Sequence, residues 1–307
     1  AKRTYRIGYP AQIIYVKKNV TGGDGSSWSS AFSDLQQALT LAANTTGHKQ
    51  IWVARGEYKP NAIVDRNASF NLPQNTFMYG GFYGNESSVD EQDLVNNRTV
   101  LSGDLGILFD KNDNSYHVIT ANNVGSNSGI DGFIIKEGNA NGAAIANQNS
   151  GGGILYNTTT GSNTLKIRNC EFLQNNATQY GGGLACIASG GSSVASSEIV
   201  DCKFNGNSAA LGGGVCGQEN SGFVNTTIKS STFSTNKATD RGGAIANLLS
   251  DATITDCKIA SNQATNEGGG IFNVYSSPTI TNNVLWKNFK GAYSESLNYN
   301  QISNGST

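Results

Sequence analysis

Ile167-Arg-Asn-Cys170-Glu-Phe172-Leu-Gln-Asn175 returns as Ile199-Val-Asp-Cys202-Lys-Phe204-Asn-Gly-Asn207. It recurs as Ile228-Lys-Ser-Ser231-Thr-Phe233-Ser-Thr-Asn236, Ile254-Thr-Asp-Cys257-Lys-Ile259-Ala-Ser-Asn262 and Ile280-Thr-Asn-Asn283-Val-Leu285-Trp-Lys-Asn288. Four copies run on through Ala177, Ala209, Ala238 and Ala264 to Gly181-Gly182-Gly183-Leu184, Gly212-Gly213-Gly214-Val215, Gly242-Gly243-Ala244-Ile245 and Gly268-Gly269-Gly270-Ile271. A degenerate earlier copy opens at Ile130-Asp-Gly-Phe133 and closes on Gly151-Gly152-Gly153-Ile154. Copies lie 26 to 37 residues apart, a period that marks a stacked repeat.

Apolar residues fall at positions 0, +3 and +5 of the motif. Strand side chains alternate faces with period 2, so this is two short strands with one residue breaking the alternation at a corner. The +2 position holds Asn169, Asp201, Ser230, Asp256 and Asn282. Asn and Asp tolerate the left-handed conformation, which places the corner there. The glycine pairs supply positive φ and close backbone approach at a second corner. The +8 Asn stacks at a third, where its amide can satisfy backbone groups along the row.

Coils of short strands, each stacked on the last, make a solenoid of parallel sheets. Its Ile, Cys and Phe columns would run inward at about 4.8 Å per step. The first half shows looser strands at Ile51-Trp52-Val53, Thr76-Phe77-Met78-Tyr79, Thr99-Val100-Leu101 and His117-Val118-Ile119. Taking these starts as about one rung apart gives an all-β chain of about ten or eleven rungs, roughly 50 Å long. It reads as one domain over 1–307. Residues 28–43 carry Phe32, Leu35, Leu39 and Ala42 at helical spacing, with Ser30 or Ser33 as N-cap, and read as an amphipathic helix capping the first rung. Residues 291–307, polar with Tyr293 and Tyr299, read as a C-terminal cap or tail.

Charged residues make up only 14% of the chain, with 21 Lys and Arg against 22 Asp and Glu. That gives no clustered basic face for nucleic acid or an acidic membrane. No apolar run is long enough to span a bilayer, and neither a signal peptide nor an anchor is visible. Three of the five cysteines share one repeat position, which points to buried thiols rather than a disulfide framework. With two histidines, His48 and His117, and no CxxC pair, no metal site is expected.

Phe172-Leu-Gln-Asn175 with Gly181-Gly182-Gly183-Leu184, and Phe233-Ser-Thr-Asn236 with Gly242-Gly243-Ala244-Ile245, resemble the repeats of the polymorphic outer-membrane protein adhesins. The first half resembles secreted β-helix proteins of Bacteroidetes-like bacteria. Its matching stretches are Gly23-Asp-Gly-Ser-Ser-Trp28, Ile51-Trp-Val-Ala-Arg-Gly56-Glu-Tyr58, Tyr79-Gly-Gly-Phe82-Tyr-Gly-Asn-Glu86 and Leu101-Ser-Gly-Asp104. The resemblance implies a right-handed, pectin-lyase-like parallel β-helix at a bacterial surface or outside the cell. It also implies adhesion to a carbohydrate or host-surface ligand, on a fold that elsewhere hosts pectate lyases and polygalacturonases.

Asp201 and Asp256 suggest paired carboxylates for glycoside hydrolysis, but Asn and Ser share their column, which a turn explains and catalysis does not. Asp240-Arg241 and Asn266-Glu267 precede glycine pairs in neighbouring rungs. Stacking would bring Arg241 near Glu267 with Tyr180 along the same edge, a shallow ligand-binding site of Tyr180, Asp240, Arg241 and Glu267. The competing reading is an exposed ion pair contributing about 0–1 kcal/mol. Polygalacturonase signatures are missing, no Asp-rich calcium cluster runs along adjacent rungs, and no cofactor is called for, so Ca2+ has no support. Arg55, Arg98 and Asp104 are charged groups with no assigned turn. No catalytic residue is named. Two functions remain: a non-catalytic adhesin, scaffold or glycan-binding module, or a lyase or hydrolase on an acidic polysaccharide. A cleft gathering Asp, Arg, Lys and aromatic groups would favour the second, and a flat Ser/Thr/Asn face the first.

Overall fold

Asn169, Asp201, Ser230, Asp256 and Asn282 all adopt φ between 50 and 57°, so each motif turns where the sequence predicts. A strand before each residue and a three-residue strand after it, such as Val194–Val200 and Lys203–Asn205, lie in different sheets. The computed structural model describes residues 12–61, 63–108, 110–291 and 299–305. Among these, strands form four sheets in which every pairing between named strands is parallel, a solenoid-like architecture consistent with a parallel β-helix.

The first sheet runs from Gln12–Val16 to Thr279–Thr281, and the second from Gly56–Tyr58 to Val284–Trp286. The third runs from Asn139–Ala140 to Phe289–Lys290, and the fourth from Phe70–Asn71 to Ile302–Asn304. From Ile154 onward the chain visits the fourth, first, second and third sheets in that order, then repeats.

The columns form as expected. Phe172, Phe204 and Phe233 stack with ring centroids 4.4 and 4.7 Å apart and planes within 3°. The +8 asparagines make a buried ladder. Asn207 Nδ2 donates to Phe172 O one coil back at 3.0 Å and to Asn236 Oδ1 at 2.9 Å, while its N–H donates to the same Oδ1 at 3.0 Å. Asn175, Asn236 and Asn262 repeat the pattern, so buried amides and the carbonyls they face satisfy one another.

A second left-handed column lies just before the ladder, at Gln174, Gly206, Thr235, Ser261 and Lys287, with φ from 49 to 66°. Four of these five residue types carry no preference for that conformation. The asparagine that follows, locked from both sides, holds the backbone there.

In the first half, Thr76–Phe82, Thr99–Ser102 and Ile119–Asn122 lie in the first, second and fourth sheets. They belong to one passage around the coil, stretched by loops 83–98 and 103–118, rather than to successive rungs. The N-terminal helix is Leu35–Ala43, capped by Asp34 rather than by Ser30 or Ser33. Residues 28–34 stay outside it because the chain is held in turns: Gly25 N–H donates to Ser30 O and Phe32 N–H to Tyr15 O. Leu35, Ala38, Leu39 and Ala42 are buried, and the helix packs against Gln12–Val16 and Phe70–Asn71, the outermost strands of their sheets. At the other end Ile302–Asn304 pairs with Ile271–Asn273, so this part of the tail extends the fourth sheet. Tyr299 packs on Phe289, whereas Tyr293 lies outside the described residues.

All five cysteines are free and buried. Burial drives the Cys186 thiol up to about 12, and burial beside Cys202 drives Cys170 well above the ordinary thiol range.

Candidate ligand-binding groove

The motifs of the first half converge on one loop. Trp28, Trp52, Phe82 and Tyr15 form an aromatic cluster, with Trp52 stacked on Phe82 at 4.9 Å. Trp28 Nε1 donates to Glu86 O at 2.9 Å, tying the cluster to the chain beyond Phe82. Glu86 then gathers three backbone donors: Tyr83 N–H on Oε1, and Gly84 and Asn85 N–H on Oε2. Burial opposes its charge, but those N–H groups outweigh burial and hold the carboxyl below its usual range. Arg55 lies over the Tyr83 ring at 4.3 Å, which assigns one of the unplaced charges.

The loop leaves Glu86 and returns at Arg98. Asp93 N–H donates to Gly81 O, and Gln92 Nε2 to Gly80 O. Leu94 seats over Gly81 and Gly132, where a Cβ on either glycine would run into its Cδ2. Both have positive φ, 86 and 81°, so the seat demands glycine on two counts.

The loop thereby walls a groove of about 360 Å³ along the corner between the first and second sheets. Leu94, Val95 and Arg98 form the wall, with Gly132, Asn169 and Asp201 in the left-handed corner column below. Glu171 and Lys203 stand on the second sheet alongside. Arg98 Nη2 donates to Glu171 Oε2 at 3.3 Å, with the Arg98 side chain 57% exposed. Val95 is 81% exposed, an apolar surface beside the charges.

The residues singled out from the sequence sit at another corner, between the third and fourth sheets. Tyr180, Leu211, Arg241 and Glu267 bridge in succession along one row. Arg241 Nε lies 3.5 Å from Asp240 Oδ1 and 3.7 Å from Glu267 Oε2, and the guanidinium lies over the Phe272 ring at 5.2 Å. The structure thus groups Asp240, Arg241 and Glu267. Tyr180 stands two steps away, beyond Leu211, packed on Leu155, Ala185 and Ile187. Side chains about 40% exposed at these separations form the ordinary surface pair.

In the column of Asp201 and Asp256 every member shares positive φ whatever its side chain, and Ser230 stands between the two carboxylates. What the column conserves along the stack is a backbone turn. Among the described residues, no three His, Cys, Asp or Glu side chains gather as metal ligands. His117 is buried with Nδ1 3.0 Å from Gly151 O, and burial pushes its pKa down to about 4 against the pull of the Gly151 and Ser150 carbonyls. No helix among the described residues is long and apolar enough to cross a membrane.

Arg98 is visible in the sequence as a charge with no assigned turn, but the groove is not. Its wall comes from an unrepeated loop and its floor from repeats that begin some 35 residues further on. In comparisons with known proteins, no family model, curated protein or solved structure matches the chain.

Proposed function

We propose that the chain is a right-handed, pectin-lyase-like parallel β-helix, outside the cell or at a bacterial cell surface, that acts as an adhesin or scaffold by binding carbohydrate without turnover. The groove under Arg98 carries this reading. Its lining brings the guanidinium of Arg98, the carboxylates of Glu171 and Asp201 and the ammonium of Lys203 beside the apolar Leu94 and Val95, on sheets whose hydrogen bonds already fix the backbone. Polar groups set on a rigid surface bind sugar hydroxyls and uronate carboxylates at low ordering cost. Arg98 engages the carboxylate of Glu171 at 3.3 Å, which sets the two groups beside one another on the groove wall. The outward row of the first sheet ends in the hydroxyls of Thr227, Thr253 and Thr279, with Glu198, 3.9 Å from Arg168, next in the row.

A second reading, polysaccharide lyase or hydrolase, draws on Asp201 and Lys203 lining the same groove. One experiment separates the two. The purified chain and Arg98→Ala are run on a glycan array and, in parallel, against acidic polysaccharides with reducing-end and unsaturated-uronate detection. Binding of an acidic glycan that weakens about tenfold in Arg98→Ala, the loss of one charge-assisted contact, with no new chain ends, is the expected result. Depolymerisation by the wild-type chain overturns the non-catalytic reading.

A further inference from the structure

Leu101-Ser-Gly-Asp104 leads into a loop that returns at Asp113-Asn-Ser115, and this loop concentrates a chemistry absent from the groove. Among the described residues eight buried side-chain polar atoms lack a hydrogen-bond partner, and four of them lie here. They are Asp104 Oδ1, Asp113 Oδ1, Asn114 Oδ1 and Ser115 Oγ, all oxygens. Asp104 is 2% exposed, Asn114 3% and Ser115 0%. Native interiors seldom leave such groups unpaired, and a group of orphan oxygens calls for a partner, which a bound cation would supply to all four at once.

The loop's own bonds draw these residues together. Ser115 N–H donates to Gly103 O at 2.8 Å at one end, and Ile107 N–H to Asp113 Oδ2 at 2.6 Å at the other. Asp104 and Asn114 lie within the span closed by these ties. Asn114 is oriented by its amide, whose Nδ2 donates to Glu137 O at 2.7 Å and so commits Oδ1 as the free acceptor. Arg66 Nε donates to Asn114 O at 2.7 Å, and the guanidinium lies over the Tyr116 ring, closing the loop from outside. Nearby, Ser102 Oγ receives Asp104 N–H and donates to Glu137 Oε2, each at 3.3 Å.

The geometry points to a divalent cation site in this loop, specific for Ca2+, held by Asp104, Asp113, Asn114 and Ser115. The donors are two carboxylates, an amide carbonyl and a hydroxyl, with no nitrogen or sulfur, which is hard-cation chemistry. A mixed set of neutral and anionic oxygens on a loop suits the adaptable six- to eight-oxygen shell of Ca2+ better than the strict octahedron of Mg2+. These donors lie within one loop rather than along adjacent rungs. The site is independent of the carbohydrate reading.

The test uses the full chain stripped with EDTA, shown to be folded by its strand-rich circular dichroism, and titrated with CaCl2 and MgCl2 by calorimetry and thermal unfolding. A saturable rise in Tm with CaCl2, reversed by EGTA, and an affinity at least about tenfold above that for MgCl2 are expected. Asp104→Asn should weaken CaCl2 binding at least about thirtyfold, and Ser115→Ala about threefold to tenfold. The exposed Asp90→Asn should leave binding unchanged. With saturating CaCl2, Asp104→Asn should melt further below wild type than it does without metal. Should Asp104→Asn fail to fold, Ser115→Ala carries the test. Absence of heat and of any Tm shift at millimolar CaCl2, equal affinity for MgCl2, or unaltered binding in both loop variants would overturn the assignment.

Discussion

Truncating one rung of the asparagine ladder should cost far more than truncating an asparagine on the sheet face. In Asn236→Ala four side-chain hydrogen bonds disappear. Asn236 Oδ1 accepts from Asn207 N–H at 3.0 Å and from Asn207 Nδ2 at 2.9 Å. Its Nδ2 donates to Phe204 O and to Asn262 Oδ1, both at 2.9 Å. Two of the four partners keep another bond: Asn207 Nδ2 still reaches Phe172 O, and Asn262 Oδ1 still receives Asn236 N–H. Asn207 N–H loses its acceptor and Phe204 O loses this donor, both in the buried interior. At about 1–3 kcal/mol for each buried group left short, the loss should be about 2–6 kcal/mol. Asn236→Asp should cost more than Asn236→Ala near neutral pH, since it sets a carboxylate oxygen against Asn262 Oδ1 and Phe204 O. The exposed Asn225→Ala is the control, expected within about 0.5 kcal/mol of wild type. Urea unfolding measures the global effect. Hydrogen exchange at the Asn207 amide measures the local one without assuming that stacked repeats unfold in a single step. Equal losses in Asn236→Ala and Asn225→Ala, with Asn207 still protected, would refute the ladder's role.

His117 should make stability depend on pH in a defined window. Its folded pKa, about 4, lies below the ordinary 6.5, so as pH falls the unfolded chain takes up the proton first. The contribution is full above about pH 6.5, is lost down to about pH 4 and is flat below. The shift corresponds to about 3 kcal/mol, and urea midpoints across that window should lose the matching slope in His117→Asn; an unchanged slope would contradict the assignment. The five thiols, buried and unpaired, should resist Ellman's reagent in the native chain and all react in urea; rapid native labelling of any one would show that its coil is open.

From Ile167 onward the fold was legible because every coil solves the same problem with the same residues. Phe172, Phe204 and Phe233, the asparagines behind them and the turn at Asp201 each repeat in register. The left-handed column at Gln174, Thr235, Ser261 and Lys287 was not legible, since neighbours impose that conformation and the residue types do not advertise it. The groove and the oxygen-lined loop share a different obstacle. Leu94, Arg98, Asp104 and Asn114 lie on unrepeated loops whose placement depends on long-range ties, such as Trp28 to Glu86 and Asn114 to Glu137. Tyr180 was placed in the correct row, but the intervening Leu211 separates it from Arg241.

Distances along one outward row of the first sheet test the stacked-coil architecture most directly. Gln50, Phe77, Gly129, Lys166, Glu198, Thr227, Thr253 and Thr279 are successive register partners there. Spin labels on cysteines introduced in pairs at Lys166 and Thr279, Gln50 and Thr227, and Gln50 and Thr279 span four, five and seven strand spacings, while the native thiols stay buried. Electron–electron dipolar spectroscopy should return backbone separations of about 19, 24 and 34 Å, growing linearly at about 4.8 Å per strand. Distances that fail to rise in that order, or that depart from that slope by more than the reach of the label, would contradict the stack.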